Sequence, residues 1–351
     1  MEENYFKGRG AQINTANPYH KNEYVSEHIE GIDEAWMTES PQTQLFFESP
    51  KNIISKNSSP DIPFAHSINP YQGCEHGCIY CYARNAHQYW GFSAGLDFET
   101  KIVVKKNAAE LLEKQFLSRN WVSTPIMLSG NTDCYQPIEK KLKITRNLLQ
   151  VFAKYGNPVG MITKNSLILR DLDILKDLAA ENLVHVYISI NSLDEKLRRI
   201  LEPRTVSGLK RMKTIEELSK SGIPTGVMVA PIIPGLNNYE IPQIIKMASE
   251  CGAKNAGMTI VRLNGAIGDI FKDWLYKTLP DRAEKVWNQI CSMHGGQVND
   301  NRWGKRMTGE GHIAESIHQM FKISKRKYMA NCTIPPFDLT RFRKNGNLNL
   351  F

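Results

Sequence analysis

The chain has 351 residues, 41% apolar and 23% charged, with a net charge of +8. That length and apolar share suit one large α/β domain with extensions, or two domains, and exclude a disordered protein. No apolar run approaches the roughly 20 residues of a membrane span, the N-terminus MEENYFKGRG lacks a secretory h-region, and seven cysteines argue against a disulfide framework, so a cytoplasmic protein in a reducing compartment is expected.

Residues 1 to about 60 are polar, with Asn-Pro and Ser-Pro breaks, and read as loops and extended segments wrapping a main domain. From His66 the pattern alternates between strand and helix. His66 to Pro70 is the first strand, and it leads into INPYQGCEHGCIYCYAR, residues 68–84. There Cys74, Cys78 and Cys81 form a C-x3-C-x2-C run inside a loop punctuated by Gly73 and Gly77. Three thiolates that close together converge on one object. A [4Fe–4S] cluster normally takes four Cys thiolates, and no fourth Cys lies nearby, so one iron is left open for chemistry. The glycines let backbone pass close to a cluster without a side-chain clash. Zinc held by these three cysteines plus His76, and buried structural thiols, are the other readings; structural zinc sites usually come as two separated pairs.

Lys101 to Val104 reads as a short extra strand and Asn107 to Ser118 as a helix. Pro125 to Ser129 is the second core strand. It is followed by a helix with Pro137 in its first turn and Ile138, Leu142, Thr145, Leu149 and Phe152 on one face. Val159 to Thr163 is the third strand, and the next helix starts at Asp171, a good N-cap. Leu183 to Ile190 alternates Val184, Val186, Ile188 and Ile190 with His185, Tyr187 and Ser189, so one face is apolar and the other polar. In a parallel barrel this points Ser189, and Asn191 beyond it, to the C-terminal mouth. A helix from Ser207 to Ser221, with Leu209, Met212, Ile215 and Leu218 inward, precedes the strand Thr225 to Ala230. The helix Ile241 to Cys251 and the strand Ala256 to Val261 follow. Six strand–helix repeats therefore predict an α/β fold, a partial (β/α)6 TIM-type barrel with an N-terminal extension and a helical C-terminal region. The expected boundaries are 1–60, 61–262 and 263–351. Helices near Ile270 to Lys277, Asp281 to His294 and Ile313 to Tyr328 precede a polar tail.

The Cys spacing, with Tyr80 just before the third Cys, resembles the radical S-adenosylmethionine (SAM) superfamily. The stretches NSSPDIPFAHSINPYQGCEHGCIYCYAR, LSGNTDCYQPIE, ITKNSLILRDLDIL, ILEPRT and VMVAPIIPGLN resemble its spore photoproduct lyase-like branch. The resemblance implies a radical SAM enzyme with two cofactors, a [4Fe–4S] cluster on Cys74, Cys78 and Cys81 and SAM on its open iron. Reduction then yields a 5′-deoxyadenosyl radical that abstracts hydrogen from a substrate. It further implies the partial barrel, a reductant such as flavodoxin or ferredoxin, and cofactor contacts from Tyr80. Ser129 and Gly130 stand where the methionine amino group is usually held, SGNTD replacing the commoner Gly-Gly-Glu, so that carbonyls at Ser129, with Asn131 or Asp133, are the expected acceptors. Lys164 and Arg204 are candidates for the SAM carboxylate, Ser189 and Asn191 for the ribose, and Pro231 to Gly235 for the adenine. Cys134 is a candidate hydrogen-atom donor to a substrate radical, although Gly130 is the alternative match to the branch's catalytic Cys, and a small buried Cys is the other reading. Cys251, Cys291 and Cys332 are expected to be inert.

From Leu263 onward 14 lysines and arginines face 8 acidic residues, so +6 of the +8 lies in the last quarter. Arg302, Lys305, Arg306, Lys322, Lys325, Arg326 and Lys327 make most of that run, with Trp303 and Tyr328 interleaved. Such a patch is either a DNA or RNA surface or a solvated face. Together with the resemblance to the spore photoproduct lyase-like branch, this basic quarter makes nucleic acid the leading substrate class; a protein or small-molecule substrate, or a non-catalytic metal-binding nucleic-acid module, are the alternatives. No membrane partner is expected.

Overall fold

The computed structural model describes residues 6–19 and 42–345. The rest of the expected N-terminal extension and the end of the polar tail lie outside the described residues. The strands are β1 Gln44–Glu48, β2 Ile54–Lys56, β3 His66–Ile68, β4 Tyr71–Gln72, β5 Lys101–Lys105, β6 Ile126–Leu128, β7 Val159–Thr163, β8 Val184–Ser189, β9 Thr225–Ile232 and β10 Asn255–Ile260. The helices of seven residues or more are α1 Ala108–Leu117, α2 Ile144–Tyr155, α3 Leu172–Ala180, α4 Glu195–Leu201, α5 Gly208–Lys220, α6 Ile241–Glu250, α7 Ile267–Thr278, α8 Pro280–Ser292 and α9 Gly311–Met329.

Seven strands form one sheet in the order β10-β9-β8-β7-β6-β3-β2. The six from β3 to β10 run parallel, and β2 adds to the β3 edge antiparallel. Among the described residues the sheet does not close: this is the open, partial barrel the six repeats predict. A second sheet, β1-β5-β4, stands beside it and carries the Cys loop on its β4 end. The alternation read in β8 is the physical one, since Val184, Val186, Ile188 and Ile190 are fully buried in the main apolar core. Burying each such side chain is worth about 1.5–3 kcal/mol, which fixes the register against a one-residue slip.

Three local expectations need correction. Leu209 is 60% exposed, and Met212, Ile215 and Leu218 face inward with Arg211 taking its place on the buried side of α5. The helix expected from Pro137 is interrupted at Lys143, which adopts φ +54° and separates a short turn, Glu139–Leu142, from α2. Asp171 precedes α3 without capping it through its side chain; its carboxylate instead receives Tyr135 Oη at 3.0 Å and Arg146 Nη1 at 2.9 Å. The tail packs: Phe337 stacks on His185 at 3.7 Å, Arg343 donates its backbone N–H to Tyr155, and a Cβ on Gly156 would overlap the Arg341 carbonyl. Residues 335–343 thereby cover the N-terminal ends of β7 and β8, opposite the mouth.

Candidate active site

The Cys loop leaves β4 and is pinned from three sides. Gly73 and Gly77 adopt φ of +81° and +66°, and a Cβ on Gly77 would stand 2.7 Å from Glu99 Oε2. Glu99 is fully buried; it accepts from Arg84 Nη2 at 2.5 Å and from the backbone N–H groups of Gly10 at 3.1 Å and Ala11 at 2.8 Å. Arg84 donates in turn to the Cys78 carbonyl through Nε and Nη2 at 3.1 and 2.9 Å. Glu75 accepts from Ile138 N and Thr43 Oγ1, while Gln136 bridges Glu75 N and the Gly73 carbonyl. Such a fully hydrogen-bonded frame holds the loop's shape independently of what its thiols bind.

All seven cysteines are free; Cys74 and Cys78 are buried and Cys81 half-buried. Burial, with the neighbouring thiols adding to it, raises the pKa of Cys78 and Cys81. Among the described residues no three His, Cys, Asp or Glu side chains converge on a point a single metal ion could occupy. His76, the one nearby candidate for a zinc ligand, is already engaged. Burial would lower its pKa, but Asp133, with Nδ1 to Oδ2 at 3.3 Å, and Cys74 outweigh burial and hold it up at about 9. Three thiols spread along a rigid loop fit an extended cluster with one open iron better than one zinc ion.

Lys164 follows β7 and is half-buried. Burial would depress its ammonium, yet Cys78 and Glu202 raise it, and among the described residues it has no ion-pair partner within 4.0 Å. Its backbone N–H donates to Asp133 Oδ2 at 2.8 Å, and Thr163 Oγ1 donates to Asp133 Oδ1 at 2.7 Å. Asp133 therefore serves the framework and is not a free acceptor at the mouth. Arg204 is the second cation, 3.7 Å from Glu75 Oε1, with its N–H on the His76 carbonyl.

Tyr80 donates its hydroxyl to Glu202 and receives Asn191 Nδ2 at 3.2 Å. Glu202 is also ion-paired to Arg211, whose Nη1 donates to the Ser189 carbonyl at 2.9 Å. Ser189 Oγ donates to the Ala230 carbonyl at 3.3 Å, and Asn191 is buried with Oδ1 lacking a hydrogen-bond partner among the described residues. Ser189, at the end of β8, and Asn191, just beyond it, thus lie inward but are mostly engaged with protein groups.

Ser129, at φ +83°, donates Oγ to the Thr132 carbonyl and accepts Cys134 N, and Asn131 N donates to Asn69 Oδ1 at 2.7 Å. Tyr82 donates its hydroxyl to the Gly130 carbonyl, tying the turn after β6 to the Cys loop. Cys134 stands apart: it has no exposed area and packs in the main apolar core, and burial pushes its thiol pKa up. Sequence reasoning missed Glu99, Glu202, Arg211 and the Arg9–Ala11 segment. Only Glu202 carried a visible signal, inside the EPR triplet beside Arg204.

Residues 68–248 match the family model of the Radical SAM superfamily, over half of the chain. The chain belongs to the radical SAM superfamily. Its cofactors are accordingly a [4Fe–4S] cluster and SAM. Uncharacterised proteins of Mycobacterium tuberculosis and Mycobacterium bovis are 32% identical to it over 226 residues, 64% of this chain and 66% of theirs, so the match spans just under two thirds of those relatives. A protein of Pseudomonas phage M6 named radical SAM Nalpha-GlyT isomerase is 28% identical over 256 residues, 72% of this chain and 50% of that one. A spore photoproduct lyase variant with bound AdoMet and dinucleoside spore photoproduct superposes with a TM-score of 0.60 at 15% identity, over 84% of this chain and 82% of that one. The same enzyme complexed with dinucleoside spore photoproduct gives 0.59 at 16%, over 81% and 79%. At that identity the likeness is one of fold. Among the described residues no helix of the radical SAM protein is long and apolar enough to cross a membrane.

Proposed function

We propose that this radical SAM protein is a hydrogen-abstracting enzyme of a reducing cytoplasm acting on nucleic acid, with Cys74, Cys78 and Cys81 as the cluster ligands. The observation that carries the reading is three free thiols on a hydrogen-bonded loop beside the Lys164 ammonium, which has no ion-pair partner among the described residues. The reduced cluster and SAM together supply a 5′-deoxyadenosyl radical that takes a hydrogen atom from the substrate. Lys164, at the end of β7, pairs with the SAM carboxylate, the natural partner of a half-desolvated ammonium; Arg204 remains with Glu75 and sets the charge of the loop. The turn at Ser129, Gly130 and Asn131 offers carbonyl oxygens to the SAM ammonium, and Tyr82 orients that turn through Gly130. Asn191 Oδ1, on the residue that bonds Tyr80 and without a donor among the described residues, suits a ribose hydroxyl. Tyr80, held through its hydroxyl by Glu202, lays its ring beside the loop as an apolar wall for the nucleoside. Residues 1–60, 61–262 and 263–351 are read as extension, catalytic barrel and substrate-facing region.

The nucleic-acid part rests on the basic last quarter and on neighbours whose names include spore photoproduct lyase. Anaerobic reconstitution tests the chemistry: iron and sulfide should each approach about four per chain, and dithionite with SAM should release 5′-deoxyadenosine. A cluster-loaded protein that forms none would overturn the enzyme reading. Comparing UV-irradiated with untreated DNA in that assay then tests the substrate; no new product on either returns the substrate to a protein or small molecule.

A further inference from the structure

The seven basic residues of the last quarter do not form one surface. Arg302 pairs with Asp300 at 2.6 Å and with Glu310, Lys305 pairs with Glu310 at 3.2 Å, and Arg306 pairs with Asp61 at 2.5 Å. That half of the run is neutralised within the chain. The other half is on α9, and among the described residues none of Lys322, Lys325 or Arg326 has an acidic partner within 4.0 Å. The Lys325 ammonium instead donates to the Ala256 carbonyl on β10 at 3.2 Å. These cations share one helix face, and with His318, Phe321 and Met258 they line an open groove of about 640 Å³. The groove runs along β10, the last strand of the sheet, where the unclosed barrel ends.

We propose that this groove binds a single-stranded segment of nucleic acid, its phosphates on Lys322, Lys325 and Arg326 and a base against Phe321. The proposal deepens the substrate reading above and rests on it. Two features favour nucleic acid over an acidic protein. Lys322 stands three and four residues from Lys325 and Arg326, a rise of about 4.5–6 Å, so the cations offer two positive levels along one helix face for the phosphates of one strand. An aromatic ring, Phe321, lining a cationic groove gives a stacking face, the combination by which single strands are held without sequence preference. The Lys325 contact puts the groove at the Ala256 end of β10, so it anchors a strand on the outside of the barrel away from the mouth.

The test is fluorescence anisotropy of a labelled 12-nucleotide DNA single strand on the full-length, reconstituted protein. The K322A/K325A/R326A variant should lose about tenfold or more in affinity, and its salt slope should flatten by about two, near 0.7 per lost phosphate contact. The charge-preserving K322R/K325R/R326K variant should bind like the parent, and R302A/K305A, which breaks internally paired cations, should bind within twofold. SAM cleavage by dithionite, read as 5′-deoxyadenosine without nucleic acid, should be unchanged in all three variants. Parent-like binding by K322A/K325A/R326A overturns the groove and leaves the substrate reading standing. Displacement of the strand by poly-glutamate as readily as by unlabelled oligonucleotide also overturns it, in favour of an acidic protein. If the parent protein binds no oligonucleotide, the groove and the nucleic-acid substrate fall together, while 5′-deoxyadenosine formation still reports on the enzyme reading separately.

Discussion

Gly10 and Gly77 meet backbone to backbone: a Cβ built on Gly10 would overlap the Gly77 carbonyl oxygen. The N-terminal segment therefore lies directly on the Cys loop between Cys74 and Cys78, locked there by the Gly10 and Ala11 amides on Glu99. Gly10→Ala should push the two segments apart, costing about 1–3 kcal/mol as overpacking does. The expected outcome is a lower melting temperature and faster loss of iron in air. Iron retention and melting equal to the parent would show that the contact does not support the loop.

Glu99 is the charge on which both segments depend. Its carboxylate and the Arg84 guanidinium are wholly removed from solvent, and breaking one side of such a pair costs about 3–5 kcal/mol. Glu99→Gln keeps the shape and removes the charge, so the apo-protein should unfold at clearly lower urea. Because Arg84 holds the Cys78 carbonyl, reconstituted Glu99→Gln should also take up less iron per chain. A variant with parental urea midpoint and full iron would assign the loop's stability elsewhere.

Cys134 separates two roles by one substitution. In the apolar core its thiol acts as a small hydrophobic group, so Cys134→Ala should cost on the order of 1 kcal/mol, about one lost buried group, and leave 5′-deoxyadenosine formation intact. Product analysis with the proposed nucleic-acid substrate completes the test: an altered product distribution at unchanged SAM cleavage would restore Cys134 as a hydrogen-atom donor.

What was legible in the chain was local or periodic. The Cys loop declares itself through spacing within eight residues, and β8 through an alternation that only a sheet with one apolar face produces. Leu209 shows where periodicity runs out: it sits on the same sequence stripe as Met212, but Arg211, called inward by Glu202, takes the buried side. β1 and β2 were hidden because they are short, exposed edge strands with little apolar pattern. The Arg84–Glu99 pair has no sequence signature, and the EPR triplet marks Glu202 without pointing to Arg211, since what makes these pairs structural is burial by distant segments.

Lys164 is the cation that the SAM reading most depends on, and Lys164→Met keeps its length and removes its charge. The cluster frame does not use its side chain, so iron content and the cluster absorbance should stay near the parent's. SAM binding should weaken about tenfold to a hundredfold, in line with about 1.5–3 kcal/mol for a charge-assisted contact. Lys164→Arg should recover part of the loss. Parental SAM affinity in Lys164→Met would move the carboxylate contact to Arg204.

His87 gives the fold a pH dependence of known sign. Burial lowers its pKa to about 4, against which Asp97 acts only partly, while the unfolded chain takes up that proton near the ordinary histidine value of about 6.5. Between those values the unfolded state binds more protons, so stability falls as pH drops through 6.5 toward 4. From pH 7.5 to pH 5 the loss from this residue should be about 2 kcal/mol. Its Nδ1 is buried without a partner and its Nε2 lies 3.2 Å from the Asp97 carbonyl, so His87→Gln can keep the donor and remove the titration. Urea unfolding of the apo-proteins at both pH values makes the comparison free of acid loss of the cluster. His87→Gln should be the less stable of the two at pH 7.5 and lose less on acidification; an equal loss in both would assign the acid sensitivity to other groups.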